Sequence, residues 1–180
     1  MDNVVKVDLK RAESHLRTAL LDGRLEGPAH ITETGRPQAA LTYRNGQLDG
    51  PMVLYHSNGV VSARLHYRLD KLHGPAQFYS PQGPLIREAN YQAGLLHGVT
   101  NTYFEDGSLA AREHFRLGQM HGISQRFHSN GNVAARMEYE RGKLLQRACE
   151  FSRDGRPLDA YGRPLRRWKA WWVKWQQGPQ

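Results

Sequence analysis

Three histidines stand 24 residues apart, His73, His97 and His121, each followed by glycine. Imidazoles in register are the first place to look for a metal, yet the spacing argues against one. Equivalent residues in successive hairpins lie about two strand spacings, roughly 9.6 Å, apart, whereas the ligands of one Zn²⁺ must each approach to about 2.0–2.1 Å. Asp49 and Glu26 hold the same column, as any polar turn residue could. A second charged set is Arg64, Arg112 and Arg136, with His66 and His114 two residues beyond the first two and Glu88 between Arg64 and Arg112. Side chains like these make a surface ion-pair ladder worth about 0–1 kcal/mol per pair, or a face for an acidic partner. Cys149 is the sole cysteine and has no histidine in its column, so it reads as a bystander thiol rather than a nucleophile. Ser-His-Asp groupings, phosphate loops and isolated carboxylate pairs are missing. The expectation is a protein without catalytic, metal or cofactor residues.

The elements that carry these side chains follow from a strict period. Tyr43, Tyr55, Tyr67, Tyr79, Tyr91, Tyr103, Phe115, Phe127, Tyr139 and Phe151 recur every twelve residues. Taken two at a time they define a 24-residue repeat, which Gly50, Gly74, Gly98 and Gly122 keep, as do Leu48, Leu72, Leu96, Met120 and Leu144. A fixed period of this size marks a repeat architecture. Within each repeat one turn carries Asn58-Gly59, Gln82-Gly83, Asp106-Gly107, Asn130-Gly131 or Asp154-Gly155, the other Asn45-Gly46, Leu69-Asp70, Ala93-Gly94, Leu117-Gly118 or Arg141-Gly142. Asn-Gly and Asp-Gly are strong hairpin signals because both residues tolerate positive φ. Connections this short join only antiparallel neighbours. The fold expected is all-β, an elongated antiparallel meander of β-hairpins. Val61, Leu85, Leu109 and Val133 share a parity with Tyr67, Tyr91, Phe115 and Tyr139, while Arg64, Arg112, Arg136, His66 and His114 take the opposite one. Each second strand therefore has an aromatic-aliphatic face and a charged face. The hairpin register stays open, since turns of two and three residues place Tyr55 on different faces.

The chain of 180 residues divides into a degenerate N-terminal repeat or cap (1–18), the repeat array (19–156) and a basic, tryptophan-rich end (157–180). Val4, Val5 and Val7 supply one further edge strand. Residues 164–177 read as a short amphipathic helix opened by Pro164, with Leu165, Trp168, Trp171, Trp172 and Trp175 along one face and Arg166, Arg167, Lys169 and Lys174 outside it. Trp168, Trp172 and Trp175 are expected to cap the open end of the sheet, and Trp171 with Arg166, Arg167 and Lys174 to face a partner. Mean hydropathy is −0.70 and the net charge +8, with ten Lys/Arg against four acids in residues 140–180. A basic end points to an acidic partner, a membrane surface or nucleic acid, or serves as a solvated tail. The lone cysteine and the absence of a signal-peptide pattern at Met1 suggest the cytoplasm.

The unit from Tyr43 to Gly59, Tyr-x-x-Gly-x-Leu-x-Gly-x-x-x-x-Tyr-x-x-x-Gly, resembles the bacterial variant of the MORN repeat as arranged in the YwqK antitoxin family, over about residues 20–155. Asp70 departs from the pattern at one glycine, and Leu145-Gln146 at the last His-Gly. The resemblance implies a non-enzymatic hairpin array that binds and neutralises a cognate toxin or secreted effector, and it brings no catalytic residues. Partner-binding candidates are Arg64, His66, Arg112, His114, Arg136, Arg166, Arg167, Trp171 and Lys174. The alternative is a membrane-surface or scaffolding module that lays the tryptophan helix in the headgroup region. Nucleic acid ranks third, because most aromatics here are repeat-core positions.

Overall fold

A computed structural model describes residues 3–146 and 148–165, which contain strands, turns and no helix. Two compact units divide at Gly98 and Val99. The first holds β1 (Val4–Arg11), β2 (Ser14–Leu21), β3 (Arg24–Glu33), β4 (Arg36–Arg44), β5 (Gln47–Leu48), β6 (Gly50–Tyr55), β7 (Val61–Arg68), β8 (Lys71–Leu72), β9 (Gly74–Tyr79), β10 (Leu85–Gln92) and β11 (Leu95–Leu96). The second opens with β12 (Gly98–Tyr103) and continues through β13 (Leu109–Arg116), β14 (Gln119–Met120), β15 (Gly122–Phe127), β16 (Val133–Glu140), β17 (Lys143–Leu144) and β18 (Cys149–Glu150). Every strand register within the units is antiparallel. The hairpin meander expected from the period is therefore what each unit contains, and Val4, Val5 and Val7 lie in a strand paired along its whole length with β2.

The two turns of each repeat differ in geometry. Asn58-Gly59 is not a two-residue hairpin: Tyr55 pairs with Val61, leaving residues 56–60 as a five-residue loop. Only Gly59 has positive φ there, closing a turn by donating its N–H to the His56 carbonyl at 2.8 Å. Asn58 instead uses its side chain, accepting from Val60 N–H at 3.0 Å and donating to the Pro81 carbonyl at 2.8 Å. The tight turns are the other set, where Leu69 and Asp70 have φ of 50° and 62°, and Leu117 and Gly118 have 50° and 81°. Two successive left-handed residues define the type I′ geometry whose twist matches the strands. Asp70 recovers part of its conformational cost by accepting Leu48 N–H at 2.7 Å.

The register left open by the sequence is settled by one extra residue. Leu54 faces Ala63 but Tyr55 faces Val61, so a bulge at Ser62 brings the aromatic opposite the aliphatic column. The same shift sets Tyr79 against Leu85 and Phe127 against Val133. The alternate aromatics sit across from glycine: Tyr43 from Gly27, Tyr67 from Gly50, Tyr91 from Gly74 and Tyr139 from Gly122. A missing side chain opposite each ring leaves it room to lie over the backbone. At Gly50 the requirement is steric as well, since φ is +131° and a Cβ would stand 3.0 Å from Thr42 Cβ.

The core is narrower than the aromatic columns suggest. The position two residues after each column glycine is the one sealed from water: Ala29, Met52, Ala76, Thr100 and Ser124 are all buried. In the first unit Ala29, Leu41 and Met52 form the centre, with Leu16, Ile31, Tyr43, Leu54, Leu65 and Tyr67 packed around them. In the second, Thr100 and Ser124 are the largest side chains that are fully buried.

At the C-terminal end the array continues further than the loss of His-Gly suggests. Leu145 N–H still donates to the Glu138 carbonyl at 2.9 Å, as His121 N–H does to His114. Two small turns follow, 152–156 and 159–163, with bridges between Phe151 and Pro157 and between Leu158 and Pro164. Pro164 is thus held extended, not at the start of a helix, and Leu165 N–H donates to the Pro157 carbonyl at 2.9 Å. The remainder of the helix expected over 164–177 lies outside the described residues.

Candidate partner-binding face

Strand alternation turns one side chain in two away from the core, and the antiparallel registers align those side chains into rows. In the first unit a row runs Ala40, Val53, Arg64, Gln77, Glu88 across β4, β6, β7, β9 and β10. In the second, Arg112 stands beside Gln125, Gln125 beside Arg136, and Arg136 beside Cys149. Arg112 Nε donates to Asn101 Oδ1 at 3.3 Å. Each guanidinium therefore has a neutral amide on a neighbouring strand. The two arginines are separated by two strand spacings, about 9.6 Å. Glu88 lies across Gln77 from Arg64, so the sequence neighbours in that column are not direct neighbours on the sheet.

Arg64, His66 and Arg112 are set on exposed or partly exposed positions of their strands, and Arg136 is half-buried. His114 is also half-buried, because its Nδ1 reaches the Ile123 carbonyl at 2.5 Å. A carbonyl only accepts, so Nδ1 carries the proton and the ring is fixed as a rung to β15. His56 and His128, which sequence reasoning missed, do the same work at the loop end. Their Nε2 atoms donate to the carbonyls of Tyr79 and Phe151, each at 2.9 Å and 23 residues away. Their signal was present as a 24-residue column with Ser80, Phe104 and Ser152, but it lacked uniform residue type.

Four residues along the strands from Arg112 and Arg136, the second unit has an open depression of about 350 Å³ at its type I′ turns, lined by Arg116, Leu117, Gln119, His121, Glu140 and Arg141. Leu117 is exposed there despite its positive φ. His73, His97 and His121 occupy the position before each column glycine and are half-buried. Among the described residues no three His, Cys, Asp or Glu side chains are grouped to hold a metal ion.

Among the described residues of the basic end, Arg156 and Arg163 each pair with an acid. Arg156 Nε meets Asp154 at 2.6 Å, Arg163 Nε meets Asp159 at 3.1 Å, and Arg153 donates to Ser129 Oγ at 2.7 Å. The Asp159 carboxylate is held below its ordinary range chiefly by the Arg163 backbone N–H, and that of Asp154 by the Ser152 hydroxyl. Arg166, Arg167, Trp168, Trp171, Trp172, Lys174 and Trp175 lie outside the described residues.

Residues 120–141, from β14 to the turn after β16, match the family described as MORN repeat variant. The chain carries a MORN repeat. No curated protein matches it. Among solved structures, the chain is similar to one described as the crystal structure of TarM, at 12% identity over 78% of this chain and 21% of that one, with a TM-score of 0.32. The chain thus spans about a fifth of that protein's length, and a likeness at this level carries no argument about either fold or function.

Proposed function

We propose that this protein is a non-enzymatic antitoxin or immunity protein, which binds an acidic surface on a cognate toxin or effector and occludes it. The observation that carries the reading is the outward row of the second unit, where Arg112 and Arg136 flank Gln125, with the exposed Arg116 further along the strand of Arg112. The hydrogen-bonded sheet sets the backbones of these arginines at fixed intervals before binding, so the ordering cost left is that of the side chains, about 0.5–1.5 kcal/mol each. The amides between them offer donors and acceptors that a polar interface needs. The fixed His114 ring borders this row as a positioning element, while Arg64 and His66 offer a second, smaller patch on the first unit. The cytoplasm remains the expected compartment for such an inhibitor. The membrane-surface alternative depends on the tryptophan segment, which lies outside the described residues.

The test is co-expression with the product of the reading frame adjacent to this one. A toxin from that frame should arrest growth alone, be neutralised at one-to-one stoichiometry, and escape neutralisation by an R112E/R136E variant that keeps wild-type circular dichroism. Turnover of a substrate by the purified protein, or full protection by the double variant, overturns the reading.

A further inference from the structure

Strand β1 is bonded on one edge only. It pairs with β2 from Val4 to Arg11, and its other edge carries no strand among the described residues; every residue of β1 but Val7 is exposed. Which backbone groups face that free edge follows from the Asp22 N–H, which donates to the Asn3 carbonyl. Odd-numbered residues of this strand therefore bond toward β2, and the N–H and C=O groups of Val4, Lys6, Asp8 and Lys10 point away. On the face shared with Leu16, Thr18 and Leu20 the strand places Val5, Val7 and Leu9. Val5 is 47% and Leu9 60% exposed, although Leu16 beside Leu9 packs against the core cluster. An unpaired edge with an apolar flank is a template for another strand.

We propose that β1 is a self-recognition edge, which pairs antiparallel with β1 of a second copy of this chain in a two-fold arrangement centred on Val7. Bonding parity and side-chain complementarity select that occupant and register. Parity admits only symmetric pairings that set even residues against even residues. Centred on Lys6, the pairing would oppose Lys6 to Lys6. Centred on Asp8, it would oppose Asp8 to Asp8 and Lys6 to Lys10. Centred on Val5, it would face Lys6 with Val4, and centred on Leu9 it would match Asp8 to Lys10 but set Val7 against Arg11. Centred on Val7, it sets Lys6 against Asp8 twice, Val5 against Leu9 twice, Val7 against itself, and at its ends Val4 against Lys10. Opposite charges directly across a strand pair stabilise it and like charges destabilise it, so among these registers this one pairs opposite charges and sets the most apolar side chains against one another. Its apolar pairs would also extend the first unit's core face across the junction. Asp8 keeps its charge in this setting: the hydrogen bond from His15 holds its carboxyl below the ordinary range, with Arg17 3.7 Å away.

The experiment uses the full chain. In a C149S background, V7C should form a disulfide-linked dimer on mild oxidation, because residues facing themselves in a non-hydrogen-bonded pair have Cα atoms about 4.5 Å apart, within disulfide reach. K6C, displaced diagonally from its copy, should cross-link far less. In sedimentation experiments K6E and D8K should each raise the dimer midpoint concentration about tenfold or more. An equimolar mixture of the two restores the dimer, because the glutamate introduced in one copy meets the lysine introduced in the other, and the unchanged Asp8 meets the unchanged Lys6. Equal cross-linking of V7C and K6C, or no recovery on mixing, overturns the proposal. So does a wild-type chain that stays monomeric at the highest soluble concentration.

Discussion

The two units are built from one repeat but sealed differently. In the first, the buried column is Ala29, Met52 and Ala76, joined by Leu41 and a rim of Leu, Ile and Tyr side chains. In the second that column is Thr100 and Ser124, Phe151 is buried as Leu41 is in the first, and Ser124 Oγ finds no hydrogen-bond partner among the described residues. Since the backbone register is the same, Met52 to Leu65 and Ser124 to Met137, the difference lies in side chains alone. Strand pairing and turn geometry thus suffice to define the repeat, while burial of apolar volume varies along it. The second unit, with the polar buried column, carries the arginine row proposed to meet a partner.

Met52→Ala should show the largest effect, a loss of about 2–3 kcal/mol from removing core volume in the first unit. The equivalent truncation in the second unit, Ser124→Ala, should be neutral or stabilise by up to about 1 kcal/mol, because an unpaired hydroxyl leaves the interior. Chemical denaturation of the two variants measures both. Should both changes destabilise equally, the units are sealed alike and the contrast fails. The loop ends offer a smaller comparison: His56→Ala and His128→Ala each remove one inter-repeat hydrogen bond and should each cost about 0.5–1.5 kcal/mol. A strictly local loss at one loop and a global one at the other would show that the units differ in cooperativity as well.

Much of this was readable from residues. The twelve-residue aromatic spacing and the parity of Arg64, Arg112 and Arg136 suffice for the strands and their outward face. Turn chemistry misled, because Asn58 is selected for its side-chain bonds to Val60 and Pro81 rather than for positive φ, while Leu69 adopts positive φ without any local signal. The sealed column was hidden because Ala76, Thr100 and Ser124 are too small and mixed to stand out as core. Hairpin register required the bulge at Ser62, whose residue type varies to Ile86 and Ala134 in other repeats.

Leu69→Asn tests the turn geometry. It should stabilise by about 1 kcal/mol, since a left-handed conformation costs leucine roughly that much and asparagine less. Loss of stability instead would mean that Leu69 packs on something. The smallest effect concerns pH. The Asp159 carboxyl is lowered from its ordinary 3.8 by backbone donors at Arg163 and Tyr161, so its contribution is present above the unfolded value and disappears as pH falls through the folded one. The amide resonances of Tyr161 and Arg163 should accordingly titrate together with a midpoint below 3.8, and a midpoint at or above it contradicts the turn geometry.

Neutralisation by the arginine row is the claim on which the functional reading turns, and a growth-rescue titration with wild type and R112E/R136E measures it most directly. Wild type should restore growth at one copy per toxin molecule, and the folded double variant should restore none at the same expression level. Equal rescue by both proteins would contradict the claim and move the interface off the outward face of the second unit.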